Sequence, residues 1–465
     1  MKMQHVAMPE EVRTIRDPDS GLEGLIVLHS TALGPAAGGC RLLHYEDASL
    51  MQADAFRLAE GMSYKNALAG LPMPAIGQSA PIRIGCITSL VGGYSLFGEA
   101  HARGMQIAAE KINAEGGIDG RQIEIVVRDD GLKPEIGVAT ARELAADGVH
   151  IFAGVLSSGV ALALGGVMEE LDSVFINAAS HGNNLTHQDF RKNYFRVTDY
   201  SAMRIGAGSQ LMADRYPDAL RWGSISPDNE VGRSVIETAG HWLPKAYQAT
   251  HGAEIELLET SWVKFGATNY RNEIARLVSQ GIDGLIVGLG GTDEVTFLQQ
   301  AGQFGLTDQL KGIYTSGSEF QSAAALKGRT PKNYWSGFHW YYGAYPDNPL
   351  AQELVRTFRD KGYGEHPDGF VGMAHSAVLA VAAALRKGAG ETAAELVPAL
   401  EGLTFESVKG PITLRAEDHQ AICDVNYALL GGADNADGWE AVDFARIDGA
   451  QFAGAPTPGQ ALAFE

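Results

Sequence analysis

Cysteine is nearly absent: Cys40, Cys86 and Cys423 are the only three in 465 residues. They are too few and too scattered for a disulfide framework, and none sits in the C-x-x-C pair that would suggest zinc or redox chemistry. They read as buried or incidental thiols. Positive charge is also in deficit, with 36 Lys and Arg against 56 Asp and Glu and a formal charge of -20. Such a chain repels phosphate backbones, which disfavours nucleic acid as a partner and mostly signals solubility. No uninterrupted apolar run approaches the roughly 20 residues of a membrane helix, so membrane insertion is not expected. Residues 1–16 contain Glu10, Glu11 and Arg13 but no apolar core of a secretory signal.

Catalytic motifs are missing as well. The sequence has no G-x-x-x-x-G-K-[ST] loop, no H-E-x-x-H and no G-x-S-x-G elbow. The nearest phosphate-cradling loop is "GLGGTDEVT" from Gly288, but Asp293 stands where the third glycine should be and its charge would repel a pyrophosphate. No catalytic residue, metal ligand or cofactor is therefore assigned.

What is present is a long alternation of strand-like runs and helical periodicity, in a chain long enough for two or three domains. "IRIGCITSL" (82–90) reads as a buried strand, and 99–115 carries Met105, Ala108 and Ile112 at helical spacing before Gly116-Gly117 stops it. Strand "QIEIVVRDD", a helix over 134–147, strand "HIFAGVL", a helix over 161–171 and "VFINAAS" continue the series. A second series begins near Tyr200, with strands "LRWGSISP", "EIELLETSW", "GLIVGLG" and "GIYTSG" alternating with helices. Repeated βα units imply a parallel, doubly wound sheet with helices on both faces, here twice. An Ala- and Leu-rich helix over 372–386 and a hairpin turning at Glu417-Asp418 follow. Residues 433–465 have weak periodicity and are expected to be loosely ordered.

Polar loops follow the predicted strands: "TSLVGGYSLFGE", "GVLSSGV", "NAASHGNN", "SPDNEVGR" and "TSGSEFQ". In open α/β sheets ligands gather at the carboxyl ends of strands, where loop hydroxyls and free N–H groups face a crevice. Ser157, Ser158 and Ser180 read either as helix caps or as contacts to a small anion or zwitterion, and their recurrence favours a site.

The stretch "IRIGCITSLVGGYSLFGEAHARGMQIAAEKINAEGGIDGRQIEIVVRDDGLKP", with "FAGVLSSG", "NYFRVTD" and "LRAEDHQ", resembles the type I periplasmic solute-binding proteins of ABC importers, in the leucine/isoleucine/valine-binding branch. The resemblance runs over 81–432. It implies two α/β lobes joined by a three-crossover hinge, one of 81–199 with 338–410 and one of 200–337 with 411–432, leaving 433–465 as a tail. It also implies a periplasmic location, a small-molecule ligand and a membrane permease that recognises the closed form. By this resemblance Ser158, beside Ser157, would hold the ligand carboxylate, and Ala179, Ser180 and His181 would occupy the second hydroxyl loop. His181 stands where threonine is common, and reads either as a ligand contact or as a loop histidine. Tyr94 and Phe97 would form an aromatic wall, Val231 replaces a usual aromatic, and Glu319 would face a ligand ammonium or remain an exposed loop carboxylate.

Residues 21–73, with "GPAAGGCR" and "LAEGMSYKNALAGLPM", resemble instead the N-terminal domain of leucine, phenylalanine and valine dehydrogenases, Lys65 falling on that family's carboxylate-binding lysine. The second, catalytic lysine, the aspartate and the nucleotide domain are missing, so residues 1–74 are expected as an incomplete α/β appendage without oxidoreductase activity. "NALAGLPMPAIGQSA" (66–80) also resembles the end of an export signal far from its usual place. Two rival readings stay open: a dehydrogenase-like oxidoreductase, and a cytoplasmic ligand sensor with the same fold.

Overall fold

The computed structural model describes residues 11–18, 22–28, 45, 47–69, 80–435 and 437–464. The chain divides into two compact units, Met1–Pro81 and Ile82–Glu465.

In the first unit the strands Glu11–Asp17 and Leu22–Leu28 pair antiparallel, from Glu11 opposite Leu28 to Asp17 opposite Leu22. The helix Ala48–Ala69 packs on the second strand. Asp47 starts it, its Oδ1 accepting from the backbone of Ser49 (2.7 Å) and Leu50 (3.0 Å), which satisfies donors that a helix start leaves unpaired. The "GPAAGGCR" segment with Cys40, residues 70–79 of the signal-like run, and the side chains of Tyr64, Lys65 and Asn66 lie outside the described residues.

The second unit is built on two sheets. The first has five parallel strands in the order Ile123–Asp129, Ile82–Thr88, Ile151–Gly154, Val174–Asn177 and Tyr194–Arg196. Its central strands are buried along nearly their whole length, and mostly apolar, because helices cover both faces. Ser95–Ala114 is one of those helices, stopped by Gly116 and Gly117 at φ +101° and +78°, backbone angles that glycine adopts without strain.

The second sheet has eight strands. Ser261–Val263, Arg221–Pro227, Gly284–Val287, Gly312–Thr315 and Tyr334–Phe338 run parallel, and Glu256–Leu257 joins beside Arg221–Pro227. Val425–Gly432 and Trp439–Ile447 then add antiparallel to one edge. A smaller antiparallel sheet joins Thr404–Ser407, Gly410–Leu414 and Ala421–Ile422.

The chain thus crosses between the sheets three times. After Tyr194–Arg196 it enters the second sheet. It returns as helix Gly369–Arg386, which packs on Ser95–Ala114, and crosses back with Val425–Gly432. Helix Gly369–Arg386 is long and apolar enough to span a membrane, but it is mostly enclosed by protein. Its backbone lies so close to Ser95–Ala114 that a Cβ on Gly104 would fall 2.2 Å from Val371 O.

The expectation for 433–465 is corrected. Trp439–Ile447 is a nine-residue strand whose buried and exposed side chains alternate, and Phe452 is buried against Gly206. The period-two pattern "WEAVDFARI" becomes a strand because Val425–Gly432 offers it an open ladder.

Candidate ligand-binding site

The strands of the first sheet end in loops that hold one another. Asn177 Oδ1 accepts from the backbone of both Ala179 and Ser180 at 2.9 Å, folding a tight Asx turn directly after its strand. Ser180 Oγ donates to Val155 O (3.1 Å), and Ser158 Oγ accepts from Gly182 N (3.1 Å). These two serines therefore stitch the neighbouring loops together. Ser157 caps helix Ser158–Gly165, its Oγ accepting from Val160 N at 3.4 Å.

His181 sits in the same turn, buried, with no hydrogen-bond partner for Nε2. Its ring stacks on that of His339 at 4.5 Å. Burial, aided by Arg204, Arg196 and Lys409, pushes its pKa well below the ordinary histidine value, so the ring is neutral. Arg196 brackets the turn from behind, Nη1 donating to Ser180 O (3.1 Å) and Gly182 O (2.8 Å) and Nη2 to Thr186 Oγ1 (2.8 Å), while its ring neighbour is Tyr200. Close by, Asp199 takes a two-pronged hydrogen bond from Arg204 and lies 3.6 Å from Lys409 Nζ, all three fully or nearly fully buried. Two buried cations thus share one carboxylate, and a third, Arg196, is held by neutral oxygens alone.

Glu319 starts the helix Glu319–Leu326 at φ +53° and is fully buried. Its Oε1 accepts from His339 N (3.0 Å) and lies 2.9 Å from His339 Nδ1, while Oε2 accepts from Gly369 N. The far side of the His339 ring places Nε2 3.2 Å from Ala179 O. Burial raises the Glu319 carboxyl well above its usual range, and burial together with Arg204 lowers His339 well below its own. Both shifts favour the neutral pair. A carbonyl only accepts, so Nε2 carries the imidazole proton and Glu319 donates its own to Nδ1.

Aromatic rings close the arrangement. Phe370 lies 4.4 Å from His339 and 4.5 Å from Phe97. Tyr94 tilts against Phe97 at 5.8 Å, stacks on Phe265 at 5.6 Å, and donates its hydroxyl to Gly290 O (2.8 Å), joining the first loop to an end of the second sheet. Val231, half-buried, is in the first turn of helix Glu230–His251. Ser234 of that helix accepts from Asn183 N at 3.0 Å.

The residues expected at the site therefore fall into connected groups: Ser157, Ser158, Ala179, Ser180 and His181 on adjoining turns; Glu319 reaching Ala179 through His339; and Phe97 reaching His339 through Phe370. Tyr94 packs on Phe97, and Val231 packs half-buried against the same hydrophobic core. Glu319 departs from the reading of an exposed loop carboxylate, since it is enclosed and engaged by protein donors. Sequence reasoning missed His339 and Phe370, as well as Arg196 behind the turn and the pairing of Asp199 with Arg204 and Lys409. Arg196 and Asp199 stood inside "NYFRVTD", charges amid apolar neighbours, and His339 directly follows a strand.

Other features lie elsewhere. Asp293 Oδ2 accepts from Gly266 N (2.7 Å) rather than opening a phosphate loop. A cavity of about 200 Å³ beside Lys111 and His375, and another of about 140 Å³ beside Lys409 and Cys423, are lined by none of the expected residues. Among the described residues no three His, Cys, Asp or Glu side chains gather to hold a metal.

Residues 81–434 match the family model described as periplasmic binding protein, and residues 9–76 match the Glu/Leu/Phe/Val dehydrogenase dimerisation domain. The Leu/Ile/Val-binding protein homolog 2 of Brucella abortus is 25% identical over 340 residues, 73% of this chain and 87% of that protein. An amino acid ABC transporter substrate-binding protein from Pseudomonas fluorescens Pf-5 has the same fold, with a TM-score of 0.69 and 22% identity over 82% of this chain and 100% of that one. So does a solute-binding protein of an ABC transporter from Rhodopseudomonas palustris BisB5, solved with 3,4-dihydroxybenzoic acid, at a TM-score of 0.68 and 18% identity over 80% of this chain and 98% of that one. With its two sheets, three crossings and strand-end loops, the chain belongs to the periplasmic binding protein family.

Proposed function

We propose that the chain is the solute-binding component of an ABC importer, taking a branched-chain type amino acid or a related small carboxylate or amide into the cleft between its two sheets. The observation that carries this reading is the charge balance behind the strand ends. Arg204 and Lys409 are buried there with Asp199 as their shared carboxylate, Arg196 is buried among neutral oxygens, and the nearby histidines are neutral. The field at the Ser157–His181 turns is therefore positive, and a ligand carboxylate entering it gains attraction little screened by water. The sheets act as cores of two lobes whose closure on ligand is what a permease recognises. Location outside the cytoplasm follows from the same reading, and fractionation of cells carrying the full chain tests it.

The role is binding, not oxidoreduction. The dehydrogenase match covers a dimerisation domain, and the residues that would abstract a proton and hold a nicotinamide are missing from the sequence. A thermal-shift screen of the full chain against amino acids, small carboxylates and amides tests the reading. A ligand at about 100 times its Kd stabilises the native state by about 2.7 kcal/mol. A panel in which every compound leaves the melting point unmoved would count against it.

A further inference from the structure

An α-ammonium buried in a cleft needs acceptors, and two stand at the strand ends: the Ala179 carbonyl and the Glu319 carboxyl. His339 holds both of them. Its Nε2–H donates to Ala179 O (3.2 Å), its Nδ1 lies 2.9 Å from Glu319 Oε1, and its own backbone N–H donates to that oxygen as well. Gly369 N–H donates to the other carboxyl oxygen. The imidazole thus fills the gap between the two groups, donating to the Ala179 carbonyl and accepting from the Glu319 carboxyl, and leaves no room there for a ligand ammonium.

The buried carboxylates nearby are engaged too. Asp199 lies between Arg204 and Lys409, Asp368 accepts from Val371 N and Gln321 Nε2, and Glu294 accepts from Ser318 and Tyr334. A cation brought to the His181 turn would meet Arg196 and Arg204 with no unengaged buried carboxylate to receive it, since Glu230, beside Gly159 on the adjoining turn, is exposed and screened by water, and burying an unpaired charge is costly. An anion meets the opposite situation: positive charge behind the turn and His181 Nε2 buried without a partner. The rings of His181, His339, Phe370 and Phe97 follow one another at 4.4–4.5 Å, a continuous apolar wall.

We infer that the cleft selects an organic acid with an apolar body and no α-ammonium group, because His339 occupies the acceptors that an amino-acid zwitterion would use. This rests on the solute-binding reading above and narrows its ligand class.

The test is calorimetric titration of the full chain with matched pairs that differ only in the ammonium: L-leucine against 4-methylpentanoate, and L-phenylalanine against 3-phenylpropanoate. The wild type should bind each des-amino acid at least about tenfold more tightly than its amino-acid partner. His339→Ala frees Ala179 O and takes the ring away from Glu319, whose oxygens keep only the backbone donors of residues 339 and 369, and should shrink that preference about tenfold or reverse it. His339→Gln keeps a side-chain amide donor and should retain much of the preference. Tighter binding of the zwitterions by the wild type overturns the inference and leaves the solute-binding reading standing. An unchanged preference in His339→Ala overturns the role given to His339. Failure of all four compounds to bind removes the carboxylate site itself, and the inference with it.

Discussion

Asp199→Asn keeps the shape of a buried side chain and deletes its charge. In the native chain Arg204 Nε lies 2.7 Å from Oδ2 and Nη2 2.9 Å from Oδ1, with Lys409 Nζ 3.6 Å from Oδ1. At an effective dielectric of about 20, unit charges about 4 Å apart attract by about 4 kcal/mol. The variant leaves two buried cations whose remaining oxygen partners are neutral carbonyls, Ser316 O for Arg204 and Asp424 O for Lys409. Removing one partner of a buried pair costs about 3–5 kcal/mol. A body of this size gains about 0.8 kcal/mol per kelvin in unfolding entropy, so the melting temperature should fall by about 4–6 °C.

Calorimetry and urea unfolding followed by tryptophan fluorescence measure both quantities. The pH dependence gives an independent check. Burial alone would raise the Asp199 carboxyl, but Arg204 and Lys409 outweigh it and hold the group well below its usual range. A carboxyl depressed in the folded state contributes stability above its unfolded pKa, about 4, and loses it as pH falls toward the folded value. The gap between native chain and variant should therefore be constant from about pH 5 upward and close below about pH 4. A cost under about 1 kcal/mol at pH 7, or a gap that ignores acid, would refute the reasoning.

Three further outcomes are expected. Tyr94→Phe removes the hydroxyl bond to Gly290 O that ties the first loop to the second sheet; a hydrogen bond worth about 0.5–1.5 kcal/mol predicts twofold to roughly tenfold weaker ligand binding by titration, with little change in the melting point of the free chain. Gly104→Ala forces a Cβ to within 2.2 Å of Val371 O, so the helices must separate, and urea titration should show a loss of about 1–3 kcal/mol. Burial raises the Glu294 carboxyl to about 7, so its contribution is present below its unfolded pKa and lost as pH rises through about 7; Glu294→Gln should flatten the melting-temperature profile between about pH 4.5 and 7.

The architecture was readable because parallel strands covered on both faces are written as apolar runs such as "IRIGCIT", and glycine and serine punctuate their ends. Strands whose pattern depends on a partner were not. Tyr334–Phe338 is aromatic and fully buried, and Trp439–Ile447 acquires meaning only beside Val425–Gly432. At the site, Ser157, Ser158 and Ser180 could be found from their recurrence after strands. That two of them spend hydroxyl bonds on neighbouring loops could not, since those loops meet only in three dimensions. Glu319 was found, but its occupation by His339, twenty residues onward, is a matter of which way a ring faces. The charge cluster spans residues 196 to 409, beyond the reach of any local pattern.

The three crossings also govern how the molecule can be built. Helix Ser95–Ala114 finds its packing partner in Gly369–Arg386, so the first sheet waits for a piece synthesised long after its own strands. At about 5–20 residues per second that delay is roughly ten to fifty seconds. Throughout it, the face around Phe97, His101 and Gly104 stands uncovered on an unfinished layer. Such a chain stays unlocked until its late segments arrive, a schedule compatible with transport before folding and demanding of whatever keeps the nascent chain from aggregating.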